Sequence, residues 1–185
     1  MLPVVHAGRF ELPSFILAGF LAWVAGAFFM FISFRKKGVE ARRVAVLIAL
    51  FTVGSMAGSK ILAALSSPEL HDPIVAGSAG RSAWLHAGQS FYGALIGGLL
   101  ASLPAAILVR RQPLETLDIS AMASMLVLGL GKIGCLLAGC CWGKPTLFPL
   151  ALEFHDFRAQ VRPIGVPLHA TQIYEMAATL AIFVL

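Results

Sequence analysis

The 185-residue chain is 58% hydrophobic and only 12% charged, with a mean hydropathy of +0.85. Soluble domains carry about 25% charged residues, so composition excludes an ordinary soluble fold and points to a membrane protein. The net charge of +5 is not organised for nucleic acid, because no basic stretch is interleaved with exposed aromatics that could stack bases; membrane orientation accounts for it instead.

A helix needs about 20 apolar residues to cross a hydrocarbon core of about 30 Å. Four segments are expected to do so: Leu12 to Phe34, Val44 to Leu65, Phe91 to Val109 and Ile119 to Trp142. The first is followed, not preceded, by Arg35, Lys36 and Lys37, the reverse of a signal peptide's charge order, so it is read as a retained span despite the Ala25-Gly26-Ala27 triplet. A fifth helix begins near Thr171 and has only about 22 Å of rise before Leu185, which reads as a chain cut short. The fold class is therefore all-α, a polytopic transmembrane helix bundle over residues 1–185 in one domain, with four full spans and a fifth begun.

Lys and Arg set the orientation, because basic loops stay cytoplasmic. Arg35, Lys36, Lys37, Arg42 and Arg43 follow span one, and Arg110 and Arg111 follow span three, so both loops belong on the inner side. The N-terminus and the loops Ser66 to Ser90 and Gly143 to Leu168 then lie outside, together with His6, His71, His86, His155 and His169. Gly54 with Gly58 and Gly93 with Gly97 form four-residue pairs that let membrane helices approach closely. Pro104 is expected to kink span three.

Ionisable side chains are costly in hydrocarbon, so Lys60 and Lys132 stand out. Lys60 is about 8 Å from the outer end of its span, within snorkelling reach of the headgroups. Lys132 is about 15 Å from Trp142 and needs a partner or an aqueous cavity. Gln89, Ser90 and Tyr92 at the start of span three, and Gln172, Tyr174 and Glu175 at the start of span five, fall in the same outer half. Two cations with polar groups at one depth suit an anionic ligand, and in a bilayer the abundant one is a phospholipid headgroup.

Three cysteines, Cys135, Cys140 and Cys141, leave one unpaired in any disulfide scheme. Their C-x4-C-C spacing is not that of a zinc site, so they are expected to pack as small apolar residues, with thiol pKa values raised by apolar neighbours and no metal bound. No cofactor is expected. Neither a G-x-S-x-G elbow nor a P-loop is present.

Four motifs, in order, carry a family resemblance: "GSKIL" (Gly58 to Leu62), "QSFYGALIGG" (Gln89 to Gly98), "GKIGCLLAGCCWGKPT" (Gly131 to Thr146) and "PLHATQIYE" (Pro167 to Glu175). They resemble the G-A-R-L, S-F-H-G-G-L-I-G, G-R-I-G-N-F-x-N-G-E-x-x-G and R-H-P-S-Q-L-Y-E segments of prolipoprotein diacylglyceryl transferases. The resemblance implies transfer of the diacylglyceryl group of phosphatidylglycerol to the lipobox cysteine thiol of a prolipoprotein, at the outer face of the bacterial inner membrane. It implies catalytic roles for Tyr92 and Lys132, and lipid or phosphate contacts for Lys60, Lys132, Gln172, Tyr174 and Glu175. Ser90, Gly93, Gly131, Gly134, Cys135, Gly139, Cys140, Gly143 and His169 fall on motif positions.

Four of these positions depart from the family pattern. Tyr92 stands for histidine, Lys132 for arginine, and Cys135 and Cys140 for asparagine and glutamate. Lysine keeps the charge of arginine but not its bidentate fork. The family also has an arginine in a later span. Besides an active transferase, two further readings remain open: a divergent homologue that binds anionic phospholipid without this reaction, and a transporter gated by Lys132. A transporter of that kind is expected to show two matching halves, and the sequence has no such repeat.

Overall fold

A computed structural model of the chain describes residues 4–7, 10–66, 90–157, 159, 161 and 164–185. Most of the expected outer loop between Ser66 and Ser90, with His71, His86 and Gln89, lies outside the described residues.

The described chain is mainly helical. Two short strands, β1 (Val4–Ala7) and β2 (Phe10–Pro13), pair antiparallel with Val4 opposite Pro13 and Ala7 opposite Phe10. Five helices follow: α1 (Ser14–Lys36), α2 (Ala41–Leu65), α3 (Phe91–Val109), α4 (Pro113–Ala138) and α5 (Thr171–Val184). The first four are long and apolar enough to cross a membrane, and α5 is a shorter apolar helix of 14 residues. The expected helical architecture of four spans and a fifth begun is met, and the strand pair is an addition to it.

Helix α4 differs most from its expected bounds, starting at Pro113 rather than Ile119 and stopping at Ala138 rather than Trp142. Proline at the first helical position has a fitting φ and no N–H to leave unpaired, and Glu115 in the first turn complements the helix dipole. At the other end Gly139 takes φ +66°, the left-handed conformation that commonly closes a helix. Lys132 is therefore only six residues, about 9 Å, from the end of its helix.

The chain divides into two compact units, residues 1–28 with 122–185 and residues 29–121. In the second unit, α2 and α3 meet through their glycines. A Cβ on Gly54 would lie 2.6 Å from the Gly97 carbonyl oxygen, and one on Gly97 would lie 2.9 Å from Gly58 Cα. Such contacts are tighter than any side chain tolerates, so the small pairs are what permit this packing. Ser102 Oγ donates to the Gly98 carbonyl at 2.9 Å and meets Ser120 Oγ at 2.9 Å. At one end of this unit Lys37 Nζ pairs with Glu115 at 2.6 Å, and Arg43 donates to the Leu108 carbonyl at 3.3 Å. These contacts join the loop after α1 and the start of α2 to the end of α3 and the start of α4, so the two basic segments share one end of the unit.

In the first unit, α4 receives α1 at Gly134, where an added Cβ would lie 3.1 Å from Ala18 Cβ, and α5 at Gly129, where it would lie 2.8 Å from the Leu180 side chain. The segment between α4 and α5 folds on a small core of its own. Phe154, Ala159, Val161 and Leu168 are buried there, with Trp142, Leu152 and Val166 packed against them. Leu168 bridges to both Pro145 and Leu152, which fixes the path of the chain into α5.

Glycine substitutions separate packing from mere helix content. Gly97→Leu is expected to lower the thermal unfolding temperature in detergent sharply. Gly131→Ala, where nothing stands within 4 Å of the added Cβ, should leave stability equal or up to about 1 kcal/mol better. Unfolding of Gly97→Leu at the parent temperature would contradict the packing described.

Candidate functional site

Helix α4 carries Lys132 and Cys135 on its last turns, and α5 carries Gln172, Tyr174 and Glu175 on its first. The fold brings these two helix ends together. Lys132 Nζ lies 2.6 Å from Glu175 Oε2, with the lysine side chain 12% exposed and the glutamate 51%. The partner demanded by a lysine in an apolar helix is thus a carboxylate on the next helix, and part of that carboxylate faces outward. A charge-assisted contact of this length holds both side chains in one geometry.

The turn after α4 is shaped by two residues in left-handed backbone, Gly139 at φ +66° and Cys141 at φ +59°. A side chain at Gly139 is also excluded by space, since its Cβ would lie 2.8 Å from Ala159 Cβ and 2.9 Å from the Phe154 ring. The N–H of Cys140 donates to the Cys135 carbonyl at 3.0 Å, which folds the turn back over the helix end. Helix α5 then clamps it, with Gln172 Nε2 donating to the Cys140 carbonyl and Thr171 Oγ1 donating to the Cys141 carbonyl. Gly143 completes the clamp by donating its N–H to the His169 carbonyl at 3.0 Å. A Cβ at Gly143 would lie 2.7 Å from His169 Cβ, so glycine is required for this approach.

Gln172 is 1% exposed, and its Oε1 has no hydrogen-bond partner among the described residues. A buried amide oxygen left unpaired costs on the order of 1–3 kcal/mol unless a ligand or water reaches it, so it marks an acceptor aimed at something else. His169 Nδ1 lies 3.2 Å from the Tyr174 hydroxyl, on the exposed side of the same helix start. Gly131, one residue before the lysine, has open space where a side chain would stand.

Sequence reasoning singled out Lys132, Glu175, Gln172, Tyr174, His169, Cys135, Cys140, Gly131, Gly134, Gly139 and Gly143, and all belong to the first unit. It missed Thr171 as a structural participant, and it read Cys141 as a packing residue without its left-handed backbone. The positive φ of one and the cap-like reach of the other depend on long-range packing that spacing does not encode. The remaining positions belong to the second unit and are described with it. There Ser90 caps α3 by accepting from the Gly93 N–H at 3.3 Å, and Gly93 is spent on the α2 contact, where a Cβ would lie 2.7 Å from Leu62 Cβ. Tyr92 is 70% exposed and meets the Phe91 ring edge-on, and Lys60 sits half-buried on α2.

The three cysteines are free thiols. Beyond the end of α4, hydrogen bonding to Cys135 pushes the Cys140 thiol well above the usual range, and burial pushes the Cys141 thiol up.

A family model described as prolipoprotein diacylglyceryl transferase matches residues 3–185, nearly the whole chain. The chain belongs to the prolipoprotein diacylglyceryl transferase family. It is 30% identical over 142 residues to the phosphatidylglycerol–prolipoprotein diacylglyceryl transferase of Clostridium tetani, covering 76% of this chain and 54% of that protein. A second such transferase, from Clostridium perfringens, is 39% identical over 87 residues, covering 47% of this chain and 33% of the relative. One from Pseudomonas putida is 35% identical over 99 residues, or 53% and 36%. The chain thus matches about half or less of the length of each of these relatives. In this family member, Lys132 stands at the position of the signature segment where the family resemblance places an arginine, and it pairs with Glu175 on α5.

Removing one partner of a half-buried ion pair strands the other. Lys132→Met and Glu175→Gln are each expected to destabilise the folded protein by about 1–3 kcal/mol, with the double variant less destabilised than the sum. A double-mutant cycle of thermal unfolding in lipid-free detergent measures this coupling. A coupling of zero would show that the pair does not hold α4 to α5.

Proposed function

We propose that the chain transfers the diacylglyceryl group of phosphatidylglycerol to the lipobox cysteine thiol of a prolipoprotein, releasing glycerol phosphate. The observation that carries this is the family match over residues 3–185, joined to an intramembrane cation held at the signature segment. The thiolate sulfur forms a bond to the terminal glyceryl carbon of the diacylglyceryl group. The carbon–oxygen bond to phosphate breaks, and the electron pair leaves on the oxygen of glycerol phosphate. The ammonium of Lys132 supplies positive charge to that departing phosphate. As Lys132 turns toward the lipid, the Glu175 carboxylate loses its partner and becomes available to accept the thiol proton, within reach of the same site.

Phosphatidylglycerol suits the remaining groups. Its headgroup hydroxyls are hydrogen-bond donors, and Gln172 Oε1 is a buried acceptor without a partner among the described residues. Tyr174 adds a hydroxyl to the lipid contacts of the first unit; on the second unit, Lys60 and Tyr92 are the positions for which the resemblance implies a lipid contact and a catalytic role. In this reading the protein is a multi-pass component of the bacterial inner membrane, with the N-terminus and the segment from Gly143 to Leu168 outside. The sharing of one end by the two basic loops supports that orientation. One departure favours a second reading: with Cys135 and Cys140 in place of the polar pair the resemblance implies, the chain is a homologue that binds phosphatidylglycerol without transferring it.

Transfer of labelled diacylglycerol from phosphatidylglycerol vesicles to a lipobox peptide separates the two. The proposal expects transfer by the parent protein, loss of at least tenfold in Lys132→Met, and retention in Lys132→Arg, whose fork suits phosphate. Binding of phosphatidylglycerol over phosphatidylcholine with no transfer leaves the binding reading. Transfer only when the peptide is on the same side as Lys37 would reverse the orientation.

A further inference from the structure

The sulfur atoms of Cys135, Cys140 and Cys141 all lie within 4.8 Å of one another. Nothing in the transferase reading uses this arrangement, and sequence spacing alone argued for simple packing. The backbone that produces it is specific. Cys135 is in the last turn of α4, and the chain then reverses through Gly139 so that Cys140 returns to within hydrogen-bond distance of the Cys135 carbonyl. Cys141 is held at φ +59°, a left-handed conformation that a non-glycine residue rarely adopts. Two further hydrogen bonds from Thr171 and Gln172 fix the carbonyls of Cys141 and Cys140. Apolar packing does not require a left-handed cysteine clamped from both sides, since any small side chain on a relaxed turn would fill the same volume.

We infer that this cluster is a three-thiolate site for a thiophilic metal ion, Zn2+ or Cu+. Thiolate sulfurs bind such ions at about 2.3 Å, which puts three sulfurs around one ion about 4.0 Å apart. The cluster reaches that spacing by closing each sulfur separation by less than about 1 Å, within the reach of side-chain rotation about a fixed backbone. Charge supports the same ligand. Three thiolates around a divalent or monovalent ion leave net negative charge, and Lys132, one turn earlier on α4, lies close enough to act electrostatically on the Cys135 and Cys141 sulfurs. Cys141 is exposed while Cys135 and Cys140 are partly buried, so an ion has a path in and a partly desolvated seat. With three protein ligands, Zn2+ keeps a fourth position for an exogenous donor, whereas Cu+ is satisfied by three sulfurs. This inference rests on the sulfur geometry and not on the transferase reading.

The test uses the whole chain, purified in detergent under a phosphine reductant, loaded separately with Zn2+ and with Cu+, and passed over a chelating resin before metal analysis. One equivalent of either ion should remain on the parent protein. Each of Cys135→Ser, Cys140→Ser and Cys141→Ser should weaken retention at least tenfold. Substitution with Co2+ gives a readout independent of activity, a thiolate-to-cobalt charge-transfer band that diminishes in each variant. Circular dichroism and size-exclusion profiles matching the parent show that the variants are folded. If a variant fails to fold, the band on the parent chain and its loss on blocking the thiols with a maleimide decide the question. Retention of neither ion by the folded parent overturns the inference, as does equal retention by the triple serine variant.

Discussion

The structure of the first unit turns on one contact, the ion pair between Lys132 on α4 and Glu175 on α5. An ammonium on an apolar helix has to be paired, reach a headgroup or lose its charge, and each choice has a different consequence for function. Here the pairing is with a carboxylate that is itself half exposed, so the lysine is held but not sealed. A fully buried pair would be structural and inert, and a fully solvated lysine would have no reason to lie on a helix such as this one. The intermediate state holds the lysine in position beside a carboxylate that is partly open to its surroundings.

The described residues between α4 and α5 have a small core of their own, Phe154, Ala159, Val161 and Leu168, and are tied by backbone hydrogen bonds to the residues that lead into α5. This packing explains why Gly139 and Gly143 must be glycine: one turns left-handed against the Phe154 ring, and the other lies directly against His169. It also explains why Gln172 is buried at a helix start where a polar side chain would ordinarily face out. The amide nitrogen of Gln172 secures the cysteine turn, and its oxygen is left facing an unfilled need.

Much of this was legible in the sequence. The four spans follow from composition, and the Gly54/Gly58 and Gly93/Gly97 pairs marked surface stripes that permit close helix approach, which the structure realises between α2 and α3. The need of Lys132 for a partner was visible, and Glu175 at the start of α5 fell in the same outer half as Lys132 near the end of α4. The end of α4 was not legible, since Leu136, Leu137, Cys140, Cys141 and Trp142 continue the apolar run and Gly139 gives the sole stop signal in the middle of it. The β1–β2 pair was hidden for a similar reason, as Leu12 and Pro13 look like the beginning of an apolar span and belong to a strand of four residues. The convergence of three sulfurs depends on two left-handed residues and on hydrogen bonds from α5 some 30 residues away, which no local pattern carries.

The central claim is that Lys132 exchanges its carboxylate partner for a lipid phosphate. Solid-state NMR of the protein labelled with nitrogen-15 at lysine side chains, in phosphatidylglycerol vesicles, observes that exchange directly through the dipolar coupling between nitrogen and phosphorus. The account predicts a coupling that disappears in Lys132→Met and is absent in phosphatidylcholine vesicles. A lysine signal coupled only to a glutamate carboxylate in both lipids would contradict it.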